Sequence, residues 1–584
     1  MSDGTIRWLS GPVVRVSTEQ PLQINEALLV GERNLLGEVI QLRENEVVAQ
    51  VYEDTTGLAP GAPVTRTGSP LSVPLGPGVL GRLFDGLLRP LAADSDVVEP
   101  GLRRARDERF SFEPKIAVGD EVGAGQLFGT VPLSGDRTHG CHVPPDVPDG
   151  TVEWIAEPGE YPEDEPVMRL RSKDGDEAAL SMVADWPVRR ARPVAERLSP
   201  EGPLVTGQRI LDTLFPVARG GRACLPGGFG TGKTMLLETL AKWSDADVVV
   251  YVGCGERGNE MAGVLHELPE LPDPRTGRPL MERTVIIANT SNMPVAGREA
   301  SIYTGITVAE YFRDQGLHVA LMADSTSRWA EAVREVSGRL GELPAEGGYP
   351  AYFGSRTAEF YERAGRARTL GGEVGSVTVI GAVSPPGGDF SEPVTKHTQR
   401  YVRCFWSLDA NRARARLYPA VDPLDSYSDD VAPLASWWES QLAPHWREQR
   451  SRLLALFEEQ ARLERMSRII GKDALPPKQR LTLLSASIAT DGFLRQSALS
   501  PVDAHCSPER QAAMLRVLTK FIQLAEQALE AGVAPEQIED LPVLRRLRRM
   551  GEEIGNDDLV AFDAIENETE MALTGLEGGT DDAG

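Results

Sequence analysis

"CLPGGFGTGKTMLLETLAKW", residues 224–243, decides how the rest of the chain is read. Gly227, Gly232, Lys233 and Thr234 fit the pattern G-x-x-x-x-G-K-[ST]. Glycines let the backbone curl until its N–H groups face a phosphate. Lys233 is placed to reach the β- and γ-phosphates, and the Thr234 hydroxyl to bind Mg²⁺. The helix expected to open at Lys233 adds the positive end of its dipole. The stretch "RACLP" before the loop reads as a strand, and "MLLETLAKW" after it as an amphipathic helix. The face expected to be apolar carries Met235, Leu236, Thr239, Leu240 and Trp243. The nucleotide cradle is therefore expected to comprise Gly227, Gly228, Phe229, Gly230, Thr231, Gly232, Lys233, Thr234 and Met235.

Holding a nucleotide is not hydrolysing it. Hydrolysis also needs a base for water, an acid for the metal and positive charge on the γ-phosphate. Near-continuous apolar runs at 248–252, 284–288, 319–323 and 377–383 suit parallel strands buried on both faces. Segments of helical period lie between them; Ile302, Ile306, Ala309 and Phe312 share one face. The domain is thus α/β with a parallel sheet, and ligands of such sheets bind outside the carboxyl ends of the strands. "DVVVYVGCGER" ends in Glu256 and Arg257, a candidate base and a candidate phosphate clamp. "VALMAD" ends in Asp324, a candidate metal-side acid, with Arg328 one helical turn beyond.

Outward from this core, the first seventy or so residues read as short strands, "GPVVRV", "NEALLVG", "GEVIQLRENEVVAQVYE" and "APVTRTG", the spacing of a small β-barrel. The expected organisation is multidomain. It has an N-terminal β-barrel at 1–72, a connector at 73–114, and an inserted β-rich bulge domain at 115–188. A RecA-like P-loop α/β nucleotide-binding domain follows at 189–435. A C-terminal helical domain occupies 436–584 and ends in a disordered acidic tail, "EGGTDDAG".

The chain has 584 residues, of which 41% are hydrophobic and 25% charged, the composition of an ordinary globular protein. Its formal net charge of −25 speaks against wrapping DNA or RNA, which needs clustered Lys and Arg. Five scattered cysteines form no CxxC spacing and no disulfide framework, so a reducing cytoplasm is expected. The N-terminus has no signal-peptide pattern, and no run approaches 18 apolar residues, so no direct membrane insertion is expected. "THGCHV" brings His139, Cys141 and His142 together but lacks a fourth ligand at zinc spacing.

Several longer stretches carry a specific resemblance: "GFGTGKT", "KWSDADVVVYVGCGERGNEM", "RTVIIANTSNMPVAGREASIYTGITVAEYFRDQG", "ALMADSTSRWAEAVREVSGRL", "GYPAYFGSRTAEFYERAG" and "GAVSPPGGDFSEPVTKHT". The chain resembles, over nearly its whole length, the catalytic A (alpha) subunit of V/A-type rotary ATPases. The resemblance implies ATP hydrolysis or synthesis coupled to H⁺ or Na⁺ transport, with ATP/ADP and Mg²⁺ as cofactors. It implies Lys233 and Thr234 as the phosphate and metal pair, Glu256 as base, Arg257 as its phosphate-binding neighbour, and Asp324 on the metal side. Arg328 would line the same pocket and Tyr418 would stand near the adenine. It also implies an A₃B₃ headpiece in which the B subunit supplies the arginine finger. Central-stalk and peripheral-stalk subunits would link it to a membrane rotor ring, on the cytoplasmic face. The rivals are a nucleic-acid translocase, a nucleotide-binding but inactive structural subunit, or an export-type or F-type ATPase. The charge, Glu256 and the extra β module respectively disfavour them.

The family commonly has Pro where Gly228 stands, and an acidic residue where Gly347 stands. Thr231 occupies the place of the cysteine that forms a regulatory disulfide in eukaryotic members, so that switch is not expected.

Overall fold

The computed structural model describes residues 3–18, 20–43, 46–91, 108–256, 258, 271–273, 275–471 and 474–580. Arg257, the candidate clamp, lies outside them.

Six N-terminal strands close into a barrel in the order Gly4–Ser10, Val13–Thr18, Val47–Val51, Leu35–Leu42, Glu26–Val30 and Pro63–Pro70. Alternation turns Val14, Val16, Leu28, Val30, Val39 and Val64 inward. The first strand is not among the runs that stand out in the sequence. Of its seven residues only Ile6 is buried, so it carries almost no apolar alternation.

Three strands fall wholly or partly within the expected connector at 73–114. Ser72–Leu75 pairs antiparallel with Ala184–Pro187, which returns from the inserted module. Leu83–Phe84 adds a parallel edge strand to the central sheet. Arg109–Pro114 belongs to the inserted module, where it lies between Leu127–Pro132 and Gly159–Pro162. Its pattern, "RFSFEP", buries Phe112 at the heart of the module, but the charged residues before it hide the signal. The module is two four-stranded sheets packed face to face over Phe112, Phe128, Val131, Val152 and Leu170.

The central sheet runs Tyr427–Ser428, Cys404–Phe405, Arg222–Pro226, Val374–Val383, His318–Asp324, Val248–Cys254, Thr284–Asn289 and Leu83–Phe84. Every pair from Cys404–Phe405 to Leu83–Phe84 is parallel. Residues on alternate faces enter different cores. Val249, Tyr251, Ile286 and Met322 share one core with the C-terminal helices. Val248, Val250, Ile287 and Leu321 share the other with Ile302, Ile306, Ala309 and Phe312 of helix Val295–Arg313. This two-sided burial is why these strands are continuous apolar runs.

Helix Lys233–Trp243 buries Leu236, Leu237, Thr239, Leu240 and Ala241, so its apolar face is rotated from the expected one. Met235 is 53% exposed and Trp243 stacks on His505, at a centroid distance of 4.9 Å. The C-terminal part is a helical bundle fixed to the nucleotide domain by buried polar bonds. Fully buried Arg209 pairs with Asp503 at 2.5 Å and donates to the Phe493 and Arg495 carbonyls. The last helix, Val560–Thr580, reaches into the stretch expected as the acidic tail. Phe562, Ile565 and Leu573 pack it into the core, and extending a formed helix by a few residues costs little. Only residues 581–584 of that tail lie outside the described residues.

Candidate active site

The loop follows strand Arg222–Pro226 and turns at Gly230 (φ +79°) and Gly232 (φ +84°) into helix Lys233–Trp243. Left-handed backbone of this kind favours glycine. Gly228 is different: a Cβ there would lie no closer than 3.7 Å to another atom. Its carbonyl accepts a 2.8 Å hydrogen bond from the hydroxyl of Thr231, which is buried. Phe229 stands at the loop tip, 94% exposed.

At the start of the helix, Lys233 Nζ lies 3.1 Å from Asp324 Oδ1, and the Thr234 hydroxyl donates to Asp324 Oδ2 at 3.0 Å. Asp324 is 1% exposed, at the carboxyl end of strand His318–Asp324. The sheet brings these residues together although 90 positions separate Thr234 from Asp324. Strand Val374–Val383 lies between their strands and contributes Ser384, whose hydroxyl accepts from Lys233 Nζ. Tyr251 also points at Asp324 Oδ2, at 3.5 Å. Burial, then the Asp324 charge, pushes its phenol well above the usual range, so it stays a protonated donor. Neither Ser384 nor Tyr251 stands out in the sequence. Ser384 follows an apolar strand directly, as Asp324 ends one, and that shared position was the available signal.

Strand Val248–Cys254 is the next neighbour, with Gly253 in register with Asp324. Glu256 therefore leaves the same sheet edge two residues beyond that strand, half-buried. Its carbonyl accepts from the Ser291 N–H at 2.9 Å. Arg328 packs its Cβ against Gly255, and its guanidinium pairs with Glu331 at 2.8 Å.

On the other side of the loop is a cavity of about 880 Å³. Gly232, Met235 and Tyr418 line one side, and Gln496 and Leu499 from the C-terminal part line the other. The Gln496 N–H donates to the Tyr418 carbonyl at 2.8 Å, tying the walls together. The volume suits a base and ribose, and the lining mixes apolar side chains with Arg416, Arg495, Asp503 and Glu552. Nothing in the local sequence pointed to residues 495–500 as a wall of the site.

His139, Cys141 and His142 lie elsewhere, where the inserted module meets helix Val295–Arg313. His139 Nε2 is 2.8 Å from the Tyr311 hydroxyl. Among the described residues no group of three or more His, Cys, Asp or Glu side chains could hold a metal ion. No helix among them is long and apolar enough to cross a membrane.

The nucleotide-binding domain of the ATP synthase alpha/beta family matches residues 207–428. That family's beta-barrel domain matches residues 9–68 and its barrel-sandwich domain residues 102–189. The C-terminal domain of V and A type ATP synthase matches residues 435–538. The A subunit of the A-type ATP synthase of Thermococcus sibiricus is 50% identical, over 94% of this chain and 95% of its own. The V-type ATP synthase alpha chain of Thermoanaerobacter pseudethanolicus is 50% identical, with 100% of both chains covered. This chain belongs to the A (alpha) subunit family of A- and V-type ATP synthases. It is one component of an enzyme that forms or hydrolyses ATP in coupling to ion transport. The ATPase EscN of the enteropathogenic E. coli type III secretion system shares the fold. Its TM-score is 0.65 at 22% identity, over 88% of this chain and 99% of that one.

Proposed function

We propose that the edge formed by the 227–235 loop, Glu256 and Asp324 is the hydrolytic centre of a rotary ATPase headpiece, working in either direction. The observation that carries this is the Asp324 carboxylate. It meets Lys233 with one oxygen and Thr234 with the other, beside the strand that leads to Glu256. Lys233 and the loop N–H groups hold the β- and γ-phosphates. Glu256 orients the attacking water and takes its proton. Arg257 and Arg328 add positive charge on the γ-phosphate side, and Tyr418 and Met235 flank the adenine.

Mg²⁺ fits the donor set. Asp324 Oδ1 is buried and faces the Lys233 ammonium at 3.1 Å, and a hydroxyl and a carboxylate are the hard oxygen ligands this ion takes. Thr234 would hold the ion directly, and Asp324 directly or through water. When bound, it neutralises charge developing on the phosphates.

The remaining positive charge comes from an arginine of a B subunit, across an interface of an A₃B₃ ring. Stalk subunits carry the closure of successive interfaces to a membrane ring that moves H⁺ or Na⁺. This places the chain peripherally, on the cytoplasmic face. The family membership supports this reading.

The test is reconstitution with the B subunit, comparing the wild type with Glu256→Gln. The variant is expected to bind Mg-ATP with native affinity and to lose about 10²-fold or more in turnover. Near-native turnover would remove Glu256 from the role of base.

A further inference from the structure

Arg298 is a cation in the first turn of helix Val295–Arg313 that the mechanism above leaves unused. It is 9% exposed and lies against the turn that presents Glu256. Gly255 has φ +71°, and a Cβ built on it would sit 2.9 Å from both Cδ and Nε of Arg298. The Arg298 stem thus occupies the space above the Gly255 backbone. Its Nη2 donates to the Ser291 carbonyl at 3.1 Å, and the Ser291 N–H donates to the Glu256 carbonyl at 2.9 Å. The Gly255 N–H is held by the Asn289 carbonyl at 2.6 Å. Arg298 therefore grips the Glu256 turn twice, by packing and through Ser291.

The other end of this brace is anchored. The next residue, Glu299, is buried and pairs with Arg189 at 2.7 Å. Arg189 in turn pairs with Glu38 of the barrel at 2.8 Å. One helical turn is fixed on one side to the barrel and on the other to Glu256.

Packing alone does not call for an arginine here. Arg298 Nε is buried and has no hydrogen-bond partner among the described residues. An unmatched buried donor is costly, and an apolar side chain of similar length would avoid that cost. A guanidinium presents a planar, rigid fork of donors, which is suited to hold a carboxylate-bearing turn at a constant position.

We infer that Arg298 is a positioning residue for Glu256, acting through the Gly255–Glu256 turn. The inference rests on the reading of Glu256 as the base. The experiment uses the complex reconstituted with the B subunit. Arg298→Met keeps the stem and removes the guanidinium. Its kcat is expected to fall about 10- to 100-fold, the scale of a displaced catalytic group. KM for Mg-ATP should stay within about twofold, because phosphate and adenine contacts are untouched. Arg298→Lys should recover part of the loss. In a Glu256→Gln background, Arg298→Met should cost no more than about twofold further, since residues acting as one unit are not additive.

Native kcat in Arg298→Met would overturn the inference. So would a raised KM at unchanged kcat, or a full multiplicative loss in the Glu256→Gln background. If Arg298→Met fails to assemble, Arg298→Lys decides: lowered kcat at unchanged KM supports the role, and native kcat overturns it. Native turnover in Glu256→Gln alone would remove the base itself. That result is distinct from a native Arg298→Met in an enzyme that Glu256→Gln disables.

Discussion

At Gly228 the loop has a freedom that its geometry does not require. The position is not left-handed, and a Cβ would meet only ordinary van der Waals contact with Gly388. The Thr231 hydroxyl, bonded to the Gly228 carbonyl, supplies the closing contact of the loop. Gly228→Ala should therefore remove disorder from the empty loop without displacing it. Such replacements at compatible positions are worth about 0.4–1 kcal/mol. Expressed as pre-organisation for a ligand, that is about a two- to fivefold lower Kd for ATP. A fluorescence titration of nucleotide into both proteins measures this. Unchanged or weaker affinity in the variant would mean that Gly228 needs its freedom to close on phosphate. Lys233 and Thr234 stand out in the sequence through the loop motif and Asp324 through the end of an apolar strand, and the structure brings these three together. Ser384, Tyr251 and Arg298 do not stand out, because a serine, a tyrosine and an arginine in such runs have many ordinary uses.

At the scale of elements, the sequence showed the long apolar strands of the central sheet but not their order, nor the short strands Leu83–Phe84, Cys404–Phe405 and Tyr427–Ser428. Strand Arg222–Pro226 neighbours Val374–Val383, which is far away in the chain, rather than Val248–Cys254, which comes next. Apolar runs report burial on both faces and carry no partner information. The seam between the inserted module and helix Val295–Arg313 was equally invisible, and it contains a titratable group. His139 is 2% exposed and bonded to the Tyr311 hydroxyl, with Cys141, His142, Arg192 and Asp314 nearby. Burial, then the neighbouring His142, lowers its pKa to about 3. The unfolded chain binds this proton near pH 6.5 and the folded chain does not. The seam therefore has its full stability above that pH and loses it as pH falls toward 3. The slope is about 1.4 kcal/mol per pH unit, or about 2 kcal/mol between pH 6.5 and 5. His139→Gln keeps a hydrogen-bond acceptor and cannot titrate. Hydrogen exchange of strands Leu127–Pro132 and Thr138–His142 should show protection falling with acid more steeply in the wild type than in the variant. Equal slopes would mean that His139 takes up its proton in the folded state.

At the scale of the whole molecule, the cavity beside the 227–235 loop has walls from two domains. Gln496 and Leu499 of the C-terminal part line this cavity together with Tyr418, so on the proposed reading motion of the helical bundle would change the grip on the base. Lys233 is engaged with Asp324 and Ser384, and the Arg328 guanidinium pairs with Glu331. Spreading charge over the transferring phosphoryl group needs a further cation, and an arginine supplied by a partner is worth on the order of 10³–10⁵ in turnover. The purified chain should therefore bind ATP through its own loop and base cavity. It should hydrolyse ATP at least about 10³-fold more slowly than the complex with the B subunit. Binding is read by equilibrium titration and turnover by single-turnover phosphate release, so that slow product release does not mask the chemistry. Two outcomes are informative against this. Turnover of the isolated chain within tenfold of the complex would place the whole catalytic set in this one polypeptide. Loss of ATP binding in isolation would mean that the base cavity itself is assembled only at the interface.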